Sequence, residues 1–231
     1  MSARLVKSIL RMTLYAFPAM ATLHAAQAGA ADPPPRPQAS KQQSPAQRLE
    51  HKVQAALERA RLGQTEAAIS GLQAVLDEHP DHVDARLVLA ALLTGRGALP
   101  QAHMILEQGL ALAPQHDRLR MNLARLQMQV GQAPAALATL EAGLSSGSTA
   151  PYLAFHAVVL QAEGQHARAV AQYAAALREQ PIHAQWLVGI AVSLRALGAH
   201  EAAREAFERA RSAPDFNRRL AEVVAEHGVI P

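Results

Sequence analysis

The sequence predicts an all-α chain built from stacked helix pairs, and three observations carry that prediction. Of its 231 residues, 51 are alanine and 30 are leucine; both are strong helix formers, whereas a β-sandwich draws on β-branched and aromatic residues. The aromatic residues are only 4 Phe, 3 Tyr and 1 Trp. Five glycines, Gly63, Gly97, Gly131, Gly164 and Gly198, recur at intervals of 33 or 34 residues, and a fixed period of that size marks a repeat architecture. The chain is long enough to bury a substantial core. With no cysteine, disulfides, thiolate-ligated zinc, iron–sulfur clusters and thiol catalysis are all excluded.

The first element is an address. Arg4, Lys7 and Arg11 precede an uncharged run from Met12 to Leu23, and the small-residue stretch 24–31 follows. A basic start, a short apolar segment and an Ala-x-Ala site describe a secretory signal, with Ala26-Gln27-Ala28 and Ala28-Gly29-Ala30 both fitting the cleavage rule. Residues 1–30 are read as a signal peptide, or as an uncleaved anchor if processing fails. Pro18, His24, Gln27 and Gly29 leave the span poorly apolar for the roughly 20 residues that a membrane helix needs. Either way the remainder is expected outside the cytoplasm, periplasmic or tethered to the inner membrane. The formal charge of +3 comes entirely from this segment: without its three basic residues, 19 Lys plus Arg face 19 Asp plus Glu. A nucleic-acid footprint needs a basic face on the domain itself, so none is expected.

The second element, residues 31–46, carries five of the 14 prolines and almost nothing apolar. It is read as a disordered, extended linker.

The repeats follow, over 47–231. Five residues after each turn glycine stands an alanine, Ala68, Ala102, Ala136, Ala169 and Ala203, and seven before each stands another, Ala56, Ala90, Ala124, Ala157 and Ala191. These pairs predict two helices per unit, crossing closely at the alanines and joined by a turn in which glycine supplies φ > 0. Nine residues past each glycine a bulky side chain, Leu72, Leu106, Leu140, Tyr173 or Phe207, fills the gap toward the next unit. Pro80, Pro114 and Pro181 close three units. One such unit cannot cover its own apolar face, so the five must stack.

In these residues the sequence resembles the tetratricopeptide repeat (TPR) family. The resemblance implies a right-handed superhelical solenoid of about five helix-turn-helix units, at about 49–82, 83–116, 117–149, 150–183 and 184–214. Position 4 of each unit, usually aromatic in the family, here reads Lys52, Arg86, Arg120, Leu153 and Leu187, with Trp186 one residue early. The first helix, with Lys52 and Arg59 at expected core positions, is a weakly matched edge. Unit three ends without proline in residues 145–149, a longer loop or a local hinge. A capping helix is expected at 215–228, opened by a Ser212–Asp215 box and carrying an apolar stripe of Phe216, Leu220, Val223 and Val224. Such a polar-backed cap is what a solenoid end needs.

Chemistry is harder to find. Neither a G-x-S-x-G nucleophile elbow nor a P-loop is expected, and the glycines fall one per repeat rather than in a phosphate cradle. Glu201, Glu205 and Glu208 interleave with Arg204 and Arg209 at helical spacing, as a solvated face does. Eleven histidines invite a metal reading, but His82, His116 and His183 share one repeat position and His166 and His200 another. His200-Glu201 lacks the second histidine of a zinc-protease helix. No catalytic residue, metal or cofactor is expected, and the chain is read as a non-enzyme.

In the family the first helix of each unit lines a concave groove. The matching positions here include Val53, Leu57, Ala91 and Val158, and the residues proposed to contact a partner are Leu87, Arg118, Met121, Arg125, Met128, Val188, Val192 and Arg195. They describe an apolar floor with two adaptable methionines and three arginines, suited to a protein segment that carries acidic groups near apolar ones. The expected partners are therefore protein or peptide segments of an envelope complex, with membrane contact only through an uncleaved N-terminus. Signal, Pro-rich stretch and TPR array stand in the order seen in bacterial pilus-assembly accessory proteins of the mannose-sensitive haemagglutinin type. That resemblance implies a scaffold for a pilus or secretion machine. A coordinator of exopolysaccharide or cell-wall synthesis and an accessory subunit of an envelope enzyme remain as alternatives.

Overall fold

The structure, a computed structural model, describes residues 44–145 and 147–227. The expected signal segment and most of the linker lie outside the described residues. Among the described residues there are eleven helices and no strand: α1 (Pro45–Arg61), α2 (Thr65–Glu78), α3 (Val83–Gly95), α4 (Leu99–Leu112), α5 (Asp117–Gln129), α6 (Ala133–Glu141), α7 (Ala150–Ala162), α8 (His166–Glu179), α9 (Ala184–Ala196), α10 (His200–Arg211) and α11 (Arg218–His227). Odd and even helices pair into five units, each of the first four even helices also packs on the next odd one, and α11 packs on α9. The fold is the all-α solenoid that the period predicts.

The turn glycines all take φ between 71° and 80°, a region costly for any residue with a Cβ. The two crossing alanines of each unit lie at 0–4% exposure, so adjacent helices meet backbone to backbone at those points. Helix α1 begins at Pro45, two residues inside the stretch that composition assigns to the linker. The reason is a capping box: Gln47 N donates to Ser44 Oγ (3.2 Å), Ser44 N donates to Gln47 Oε1 (2.8 Å), and proline is well placed in the first turn. Lys52 and Arg59 are exposed rather than buried, with Lys52 paired to Glu78 at 2.6 Å.

The arginines at position 4 replace the missing aromatics in an unexpected way. Arg86, 4% exposed, donates to Pro80 O (2.5 Å) and Ile105 O (3.1 Å). Arg120 repeats the arrangement one unit later, donating to Pro114 O and to Thr139 O (3.1 Å). Each guanidinium thus satisfies one carbonyl at the end of the preceding unit and one in the second helix of its own unit. Gly109 and Gly143 leave the room for them, since a Cβ at either site would overlap the arginine side chain. Between units three and four a tyrosine bonds a carbonyl in a similar manner. Tyr152 donates to Leu140 O (2.6 Å) across the loop between α6 and α7, and burial pushes its hydroxyl up to about 12. The apolar cluster that includes Leu140, Tyr152 and Trp186 holds side chains from both α6 and α7, so units three and four pack on one another across that connection.

The C-terminal cap begins later than predicted. Ser212 does not cap α11; its hydroxyl donates back to Glu208 O (3.1 Å) at the end of α10. Asn217 caps α11 instead, accepting from Arg219 N (3.1 Å) and Leu220 N (3.2 Å). Asp215 is drawn to another helix, accepting from Ala184 N at the start of α9 (3.0 Å to Oδ1, 3.1 Å to Oδ2), where the helix dipole favours an anion.

Units four and five are joined by a buried polar chain. Tyr173 donates to Gln161 Oε1 (2.7 Å), and Gln161 Nε2 donates to Gly189 O (2.8 Å) and Ser193 Oγ (2.7 Å). A Cβ at Gly189 would overlap the Tyr173 ring, which this chain holds in place. Gly189→Ala should therefore cost about 1–3 kcal/mol in urea unfolding. Gly95→Ala, where an added Cβ meets nothing within 4 Å, should be neutral or gain less than about 1 kcal/mol.

Buried histidines give the fold a pH dependence. His156 on α7 is fully buried, and desolvation, opposed by the nearby Glu141 and Gln172 and aided by Arg168, holds its imidazole below the ordinary value of 6.5. As pH falls through 6.5 the unfolded chain takes up the proton first, so stability is complete above that value and declines below it. Urea midpoints measured at about pH 7.5 and pH 5 should drop for the wild type and differ less in His156→Leu.

Candidate functional site

The concave side of units three to five carries a cleft of about 310 Å³, assembled mainly from α5, α7, α9 and α11, with Tyr173 of α8 reaching it from behind. Helix α5 contributes Met121 and Arg125, one turn apart on one face. The helix is held at its start by His116, whose Nδ1 accepts from Leu119 N (3.4 Å); His82 caps α3 in the same way, from Ala85 N at 3.1 Å. These repeated histidines are helix caps. Helix α7 contributes Ala154, Phe155 and Val158, and Glu179 caps it by accepting from Ala150 N (3.2 Å). Helix α9, capped by Asp215, supplies Gln185, Trp186, Val188 and Gly189, and α11 closes the far end with Leu220 and Val223. His183 stacks on Trp186 with centroids 4.0 Å apart and 2° between planes.

The electrostatics of the cleft are one-sided. No Asp or Glu is among the described residues lining it, and Arg125 is its one residue of fixed charge. Its guanidinium lies over the Phe155 ring, 5.1 Å from the centroid, a cation–π geometry. Nη1 reaches Asn122 Oδ1 at 3.3 Å, while Nε is buried without a hydrogen-bond partner. Desolvation lowers its pKa from the usual arginine value.

Of the eight residues proposed to contact a partner, Met121, Arg125 and Val188 line this cleft and five sit elsewhere. Leu87 is packed in the core of units one to three, Met128 in the central core and Val192 against the cap. Arg118 is exposed and pairs with Asp84 of the preceding unit at 2.8 Å. Arg195 donates to His227 O and so anchors the last turn of α11. The family positions describe a regular groove, but here the cap helix folds over the concave side of unit five and takes up Val192 and Arg195. Sequence reasoning missed Phe155, Trp186, Leu220 and Val223 as cleft walls. A signal was present: Tyr152, Trp186 and Leu220 stand 34 residues apart, so the capping helix carries the repeat register forward.

A second cleft, of about 440 Å³, lies between units one and two and includes Asp77, Arg86 and Gln108; its arginine is already committed to carbonyls. Residues 143–147 spell G-x-S-x-G, which corrects the expectation that the pattern is absent. The nucleophile elbow needs a strand entering a helix, whereas Gly143, Leu144 and Ser145 follow helix α6 and no strand occurs among the described residues. Among the described residues no helix is long and apolar enough to cross a membrane, and no three His, Asp or Glu side chains are grouped to hold a metal ion.

Arg195 holds the cap by its final carbonyl, so Arg195→Ala should fray α11. Amide exchange over residues 218–227 should speed up at least about tenfold relative to α9.

Comparisons with known proteins follow the repeat register. Two family models, both described as tetratricopeptide repeat, match residues 59–108 and 93–158 in one case and 156–217 in the other. Among solved structures, the MamA protein superposes with a TM-score of 0.61 at 17% identity, covering 79% of this chain and 97% of that one. A second MamA structure, from MSR-1, gives 0.56 at 23% identity, covering 76% and 97%. YrrB, described as a TPR protein with an unusual peptide-binding site, gives 0.60 at 17% identity, covering 75% and 90%. A search of the curated proteins returns no match. At these identities the structural likeness speaks for the fold, and the family models span most of the repeat array. With five glycine-turned helix pairs in the register those models describe, the chain belongs to the tetratricopeptide repeat family.

Proposed function

We propose that this protein is a non-enzymatic interaction scaffold of the bacterial cell envelope, which holds a protein segment in its concave cleft and assists assembly of a pilus or secretion machine. The observation that carries the reading is the cleft itself. Phe155, Trp186, Met121, Leu220 and Val223 leave apolar and aromatic surface facing a concavity, the arrangement on which binding hot spots are built. The similar structure of YrrB is described as holding a peptide-binding site, which supports a peptide-binding use of the fold. The envelope setting rests on the basic-then-apolar N-terminus with its Ala-x-Ala sites and on the Pro-rich stretch after it.

Met121 is only partly buried, so Met121→Asp adds a charge to the cleft wall without opening the core. The variant should keep its helical circular dichroism and lose at least about tenfold of the envelope protein captured on the immobilised wild type. Unchanged capture would remove the cleft from consideration. For the export reading, the intact mass of protein from fractionated cells should begin after Ala28 or Ala30 in the periplasmic fraction. A full-length chain in the membrane fraction would mean an anchor, and a full-length chain in the cytosol would contradict export.

A further inference from the structure

We propose that α11 is a proton-released latch on the cleft: it stays docked on α9 while His227 is neutral and comes away when that imidazole takes up a proton. Such a latch governs access to the cleft whatever the cleft holds.

The attachment of α11 is confined to one neighbouring helix and two polar ties. Among the described residues it packs on α9 and is followed by no second helix, and Leu220, Val223 and Val224 anchor it in the last apolar cluster. Its ties lie at the two ends of α9. Before α11 begins, Asp215 accepts from Ala184 N (3.0 Å to Oδ1, 3.1 Å to Oδ2); at its last residue, His227 O accepts from Arg195 Nη1. A helix of ten residues is shorter than the roughly 12–15 that persist alone in water, so α11 keeps its shape only while docked. Leu220 and Val223 belong to the cleft wall. Release of α11 therefore opens that end of the cleft and uncovers Trp186, which is 6% exposed in the docked state.

The tie at His227 holds a conflict that a proton brings out. The charged groups facing this imidazole are Arg195 from α9 and Glu226 from α11 itself. The Arg195 guanidinium is fixed beside the ring by its bond to the carbonyl of the same residue, while Nε2 is buried and meets no hydrogen-bond partner. A proton added there is desolvated and stands near a like charge, and both costs exist only while α11 is docked. The carbonyl end of a helix favours a cation, but Arg195 already occupies it. Desolvation and Arg195 hold His227 below its ordinary value of 6.5 against the pull of Glu226. The released helix takes up the proton more readily, so docking is complete above that value and weakens as pH falls through the docked one. The other tie has a different character: His183 Nδ1 lies 3.5 Å from Asp215 Oδ2, so a proton there gains an acid partner. Arg218 and Glu222 pair with each other on the exposed face at 3.3 Å and bring no charge to either tie.

Amide exchange of the full chain, corrected for the intrinsic effect of pH, tests the latch at about pH 7.5 and about pH 5. Protection over 218–227 should fall at least about threefold more than protection of α9 on acidification. His227→Gln, which cannot take up the proton, should remove that difference, and His183→Gln should keep it. Trp186 is the only tryptophan of the chain, so acrylamide quenching reads the cleft: its Stern–Volmer constant should rise at least about twofold at the lower pH in the wild type and stay level in His227→Gln. An NMR titration of the wild-type His227 ring should have its midpoint below 6.5, a reading that needs no variant to fold. Equal loss of protection in α9 and α11, which is what the buried His156 alone would cause, overturns the latch. So does a response that survives in His227→Gln, or a His227 midpoint at or above 6.5.

Discussion

The close approach of paired helices is the constraint from which the other features of this protein follow. Each helix of a pair carries an alanine at 0–4% exposure where the two pack, and a larger residue at either site would push the axes apart. A pair packed this closely is thin. It presents one apolar side that no part of the same unit can cover, so every pair needs its successor. The apolar clusters accordingly run across unit boundaries, one from unit one into unit three and another from unit three into unit five. Helix α9 is covered in turn by α11.

With only eight aromatic residues available, the chain fills the wide ends of the helix pairs in two ways. The early units use arginine, whose stem packs against a glycine and whose guanidinium donates to two carbonyls. The later units use Tyr152, Tyr173 and Trp186. This division gives the molecule its polarity of function. Where arginine fills the space, the cation is spent internally; where aromatics fill it, ring faces remain next to the concave side. The cleft lies in the aromatic half, and the one arginine there, Arg125, is left facing it.

The repeat was legible because it is written in residues whose role is steric and local. Glycine at a positive φ and alanine at a crossing have few substitutes, so Gly63, Gly97 and their counterparts, together with Ala68 and its counterparts, identify each turn and each contact from sequence alone. The cleft was less legible because a groove position belongs to a register but its exposure belongs to the neighbours. Val192 and Arg195 occupy groove positions and are covered by α11; Leu87 occupies one and is buried among units one to three. Capping was misread for a related reason. Ser212 and Asp215 have the spacing of a local box, yet the start of α9, 31 residues earlier in the chain, competes for Asp215. Long-range competition of that kind has no trace in a short motif.

The account turns on where a partner touches this chain, and site-specific photo-crosslinking asks that directly. A benzophenone amino acid placed in turn at Met121 in the cleft and at Gln108 in the second cleft would be activated in envelope preparations. Adducts of one defined mass from position 121 and none from position 108 are the predicted result. Adducts from position 108 alone would contradict the assignment of the concave cleft as the working surface.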